Sequence, residues 1–136
     1  MVRETGALRG RRPVTSLRPV ESARFDPERL EDLCRRIGEI RAEREVARAL
    51  DRIATTLDAL PRLVSEGDSA VLRAALATLG RDADRIGMAT LARVAGDVLR
   101  CLETGDTVAL AATSARLSRV GDRSIHAIWE LEDLSV

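Results

Sequence analysis

The chain has 136 residues, the length of one domain, and 45% of them are hydrophobic, enough to bury a core. One His, two Cys and two aromatic residues (Phe25 and Trp129) exclude a Cys/His zinc site of ordinary ligand count. They also leave His126 as the sole base for any Ser–His or Cys–His pair, so neither an enzyme nor a metal or cofactor site is expected.

Charge is balanced overall, with 22 basic residues against 22 acids, and every basic residue is Arg. Its placement is uneven. Residues 1–24 carry six Arg against two Glu (+4), and residues 25–136 carry sixteen Arg against twenty acids (−4). Residues 1–24 read as a basic, flexible tail ahead of a domain spanning 25–136. Two roles for that tail stay open: an electrostatic arm for an anionic partner, or a leader whose arginines reflect GC-rich codons. Its RGRR cluster has no aromatic stacking partners, so nucleic acid is not expected as a partner. The tail lacks the apolar stretch of a secretion signal, and no run of about 18 apolar residues exists to span a membrane. Cys34 and Cys101 make no disulfide framework and read as small core or boundary residues, which fits a reducing cytoplasm.

Ala (20) and Leu (18) make up more than a quarter of the chain, and both are strong helix formers. The first helix opens at FDPERL: Asp26 suits the N-cap, Pro27 the first helical position, and Phe25 with Leu30 forms a hydrophobic staple. Leu30, Leu33, Ile37 and Ile40 fall on one face, and two endings stay open, a stop near Gly38 or continuation into the next element. Val46, Leu50, Ile53, Leu57, Leu60 and Val64 then repeat at alternating spacings of four and three, a stripe on a second helix with a kink expected at Pro61. Gly67 ends that helix and Asp68 caps a third, which turns Leu72, Ala75, Leu76, Leu79, Ala83 and Ile86 inward. Gly87 closes the third. A fourth follows at once with Leu91, Ala95, Val98 and Leu102 inward, and Gly96 is read as a point of close approach. Gly105 stops it and Asp106 caps a fifth, whose stripe runs through Leu110, Leu117, Val120, Ile128 and Leu131. Gly121–Asp122 is a place for that last helix to bend or split. Such short connections predict an all-α fold, an antiparallel up-down four-helix bundle with a short extra N-terminal helix covering one end.

The third and fourth helices read LRAALATLGRDADRIGMATLARVAGDVLRCLETGD. This stretch resembles the histidine phosphotransfer (HPt) family of two-component phosphorelays. Its pattern is AH-x-L-K-G-x-A-x-x-I/L-G, a small residue, x-x-L, then a helix ending in L-E before a G-D turn. The matching residues are Leu79, Ala83, Ile86, Gly87, Leu91, Leu102, Glu103, Gly105 and Asp106, and the likeness extends over roughly 25–134. The chemistry-bearing positions depart from the pattern. The phospho-accepting His is replaced by Ala77, the family's Lys by Gly80 and its small Gly by Arg81.

The resemblance therefore implies a degenerate member that binds a receiver domain or histidine kinase without accepting phosphate. Its partner face would comprise Arg73, Ala77, Thr78, Gly80, Arg81 and Asp84, made flat by Ala77 and Gly80, with Thr78 turned partly toward the neighbouring helix. Arg73, Arg81 and Arg85 could meet the acidic pocket of a receiver or simply stay solvated. Asp82 and Asp84, two positions apart, point to different faces and make no paired carboxylate site. His126 reads as a structural residue rather than a substitute acceptor. Two alternatives remain: a structural or dimerising bundle outside signalling, and an active phosphotransfer protein using a non-standard residue. The sequence leaves the oligomeric state open, with a monomer favoured.

Overall fold

The computed structural model describes residues 25–134, with side chains described as far as Glu130, so the basic tail and Leu131 lie outside the described side chains. The described residues form five helices and no strand: α1 (Pro27–Ile37), α2 (Glu39–Glu66), α3 (Ser69–Arg85), α4 (Ala89–Thr104) and α5 (Thr107–Leu134).

The caps follow from local chemistry. The Asp26 carboxylate accepts from the Glu28 N–H at 3.1 Å, and Pro27 occupies the first turn. Asp68 accepts from the Ala70 and Val71 N–H groups, both at 3.2 Å, and Asp106 accepts from Ala109 N–H at 3.0 Å. Each satisfies donors that the first helical turn leaves without an intrahelical partner. Gly67 and Gly105 close α2 and α4 in the left-handed conformation.

Gly38 settles the first ambiguity. With φ 85° and ψ 158° it sits in a region essentially reserved for glycine, so α1 stops there and α2 starts at the next residue. Ile40 consequently belongs to α2 and is 68% exposed, off the face it was expected to share with Leu30, Leu33 and Ile37. Two further expectations are corrected. Helix α5 is not split at Gly121–Asp122 but continues through them. Gly96 has open space where a Cβ would stand; the close approach is instead at Gly121, where an added Cβ would lie 2.4 Å from Leu57 Cδ1. Helix α2 continues through Pro61.

Helices α2, α3, α4 and α5 each pack on their chain neighbours, and α5 returns to pack on α2. Ile53, Leu57 and Leu60 of α2 meet Leu72, Leu76 and Leu79 of α3, Leu91, Val94 and Val98 of α4, and Leu117 and Val120 of α5 in one aliphatic core. Helix α1 lies on α2 and α3 with only Leu33 fully buried. Its start is clasped to the α3–α4 connection. The Asp26 N–H donates to Gly87 O at 2.7 Å, beside an isolated antiparallel bridge between Phe25 and Met88.

Candidate functional site

One turn of an α-helix advances 3.6 residues, so the inward stripe of α3 leaves a strip of opposite phase open to solvent. Arg73, Thr78, Arg81 and Asp84 are exposed on it and Ala77 is half-buried at its edge. Gly80 lies elsewhere. It is half-buried, and a Cβ there would stand 3.8 Å from the Ala95 Cβ, so it belongs to the seam with α4 rather than to the open strip. Thr78 is also exposed rather than turned toward the neighbouring helix. Its hydroxyl accepts from Arg81 Nη2 at 3.3 Å.

Within the strip, Asp84 reaches Arg29 of α1 at 3.4 Å. Arg81 and Arg73 make no ion pair with a carboxylate among the described residues. The surface thus offers a guanidinium tethered only to a hydroxyl, next to the methyl of Ala77. It holds no ring nitrogen and no thiol that could take a phosphoryl group.

A second polar feature lies where α3 faces α2, and the sequence reading missed it. Asp82 is buried, its side chain 4% exposed, yet it is fully bonded. Arg52 grips it with two parallel hydrogen bonds, Nε to Oδ2 and Nη2 to Oδ1, each 3.0 Å. Arg85 Nη2 adds a third at 2.9 Å to Oδ1. Glu45, largely buried, accepts from Arg85 Nη1 at 2.7 Å and from Arg52 Nη2 at 3.3 Å. Forked charge-assisted bonds of this kind fix geometry as well as contributing energy. The hydrogen bond to Asp82, first among several effects, raises the Arg52 guanidinium above its ordinary pKa against an opposing desolvation. The signal was present in the spacing. Asp82 continues the Ala75–Leu79–Ile86 side of α3, and a carboxylate in such a stripe demands a cationic partner.

Arg85, read as a solvated or partner-facing arginine, is therefore committed to Glu45 and Asp82. His126 is exposed on α5, its Nδ1 2.8 Å from Asp122 O and its ring edge-on to Trp129 with centroids 6.0 Å apart. Cys34 and Cys101 are free and half-buried, on α1 and α4. Among the described residues there is no cluster of three or more His, Cys, Asp or Glu side chains placed to hold a metal. No helix among them is long and apolar enough to cross a membrane. No protein-family profile, curated protein or solved structure matches this chain.

Proposed function

We propose that the chain is a pseudo-histidine-phosphotransfer protein of a two-component phosphorelay. It would bind a receiver domain or histidine kinase in the cytoplasm and take up no phosphate itself. On this reading the helices form an HPt-like, antiparallel up-down four-helix bundle with α1 as the additional N-terminal helix. Connections of one to three residues between successive helices and the return of α5 to α2 support that arrangement. Of the run that carries the likeness to HPt sequences, Leu79 and Ala83 fall on α3, Ile86–Gly87 in the connection after it, and Leu91 and Leu102–Glu103 on α4.

One observation carries the functional reading: Ala77, which the resemblance aligns with the acceptor position, lies at the edge of the open strip of α3, one turn before the exposed Arg81, whose guanidinium is tethered only to the Thr78 hydroxyl. A receiver's phosphoacceptor pocket is a cluster of carboxylates, which a guanidinium can engage with two parallel hydrogen bonds. The Ala77 methyl lets a partner helix approach closely with little side-chain entropy to lose. No phosphoryl group can leave on Ala77. A phosphate ester on Thr78 would be far harder to pass on than a phosphoramidate.

Titration with receiver domains from the same genome tests this. Arg81→Glu is expected to weaken binding by about 2–3 kcal/mol while changing folding stability by about 0.5 kcal/mol or less. The unmodified protein is expected to take no phosphate from a phosphorylated receiver. Ala77→His alone is expected not to restore full transfer, because an arginine one turn on at position 81 would overhang the new ring and Gly80 lacks the family's cation. Efficient transfer by the unmodified chain overturns the reading.

A specific feature favours a second reading, a dimerising bundle outside signalling. A groove of about 530 Å³ between α1, α2 and α5 is lined by Leu30, Val46, Leu50 and Trp129, and Trp129 is 55% exposed. Concentration-dependent mass in solution together with no receiver binding would select it.

A further inference from the structure

Five arginines converge on one cleft of about 340 Å³ between α1, the first half of α2 and the end of α3. Arg36 comes from α1, Arg41, Arg44 and Arg48 from α2, and Arg85 from α3, while Leu33 and Ile37 supply its apolar wall. Glu45 is the one carboxylate in the lining. It is already engaged by Arg85 at 2.7 Å and Arg48 at 3.5 Å. The lining residues sum to +4 on a domain whose residues 25–136 sum to −4, and because Arg85 is also bonded to Asp82, it is the guanidinium groups of Arg36, Arg41 and Arg44 that have no carboxylate among the described residues.

Like charges held together in one concavity repel each other, and a counter-charge in the cleft relieves that repulsion. The wall is also held in place. Arg85 is anchored by Glu45 and Asp82 together, so one rim of the cleft is fixed before any ligand arrives.

We infer that this cleft is a binding site for a compact anion bearing two phosphate groups. Guanidinium forks match the oxygen pairs of phosphate, and three unpaired guanidinium groups exceed what a single carboxylate or orthophosphate would satisfy. The lining contains no aromatic ring on which a base could stack, so the diphosphate itself is the recognised element and a nucleoside attached to it is incidental. None of the lining residues belongs to the open strip of α3, so the site stands independently of receiver binding.

Calorimetric titration of the full chain with pyrophosphate, orthophosphate and ADP at low ionic strength tests the assignment. Pyrophosphate is expected to saturate one site, orthophosphate to bind at least about tenfold more weakly, and ADP to match pyrophosphate within about threefold. Replacing both Arg41 and Arg44 with Ala is expected to weaken pyrophosphate binding by about tenfold or more. Replacing Arg93 and Arg119, both exposed and outside the cleft, is expected to change it by less than about twofold. Circular dichroism verifies that both double variants are folded. The absence of saturable pyrophosphate binding overturns the site, as does an equal loss in the two double variants. Equal affinity for orthophosphate and pyrophosphate, or binding of ADP without pyrophosphate, overturns the diphosphate assignment.

Discussion

Asp82 takes a formal charge onto a side of α3 that otherwise presents Ala75, Leu79 and Ile86 to the interior. Removing one member of a buried pair strands its partner, and the cost depends on how much water the partner can recover. Here Arg52 and Arg85 keep 43% and 41% of their side chains exposed, so both can be partly rehydrated. Asp82→Ala is therefore expected to destabilise by about 2–3 kcal/mol, short of the largest losses seen for fully buried pairs. Arg52→Ala is expected to cost about half as much, because Arg85 still bonds the carboxylate. Urea denaturation of the two variants gives both values, and a larger loss for Arg52→Ala would show that Arg85 cannot hold Asp82 alone. At this scale the sequence was only partly legible. Helical phase put Arg73, Arg81 and Asp84 on the surface. It could not show that Gly80 faces Ala95, or that Arg85 turns back to Glu45, forty positions away.

Among the helices, the two glycines of α4 and α5 exchange the roles their sequence suggests. Glycine is disfavoured in a helix interior by about 1 kcal/mol relative to alanine, so each needs a packing reason or is a site for improvement. Gly96 has nothing within 4 Å of a built Cβ. Gly96→Ala is therefore expected to stabilise by about 0.5–1 kcal/mol. Gly121 is buried against Leu57, whose Cδ1, Cδ2 and Cγ would lie 2.4, 2.9 and 3.2 Å from the new carbon. Crowding there outweighs the propensity gain, and Gly121→Ala is expected to destabilise by about 1 kcal/mol. In a Leu57→Ala background the same change is expected to become neutral or stabilising, which a double-mutant thermal denaturation cycle measures. Additive effects would mean that Leu57 is not what α5 packs against. Caps and most of the stripes were readable because they depend on residues within a turn of one another. Which glycine is crowded depends on a side chain from a helix more than sixty positions away, and no local pattern contains that.

For the molecule as a whole, periodicity of 3.6 and four Gly or Gly–Asp connections were enough to anticipate that the described residues are all-helical, while whether α1 and α2 were one element or two stayed open. The arginine cleft was invisible for a different reason. Arg36, Arg41 and Arg44 each look like ordinary exposed residues on their own helices, and only the reversal at Gly38 brings them around one cavity.

That one-residue joint also has a dynamic consequence. Helix α1 is held by a glycine at one end, by the Asp26–Gly87 bond and the Arg29–Asp84 pair at the other, and by a single fully buried leucine between them. Detaching it exposes far less apolar surface than unfolding the α2–α5 core, so it constitutes a cooperative unit of its own with a lower opening free energy. Native-state amide exchange is expected to reach residues 27–37 through openings with little dependence on denaturant. Amides in the middle of α3 and α4 should exchange only through global unfolding. Uniform protection across all five helices would instead make α1 part of the same cooperative unit as the core.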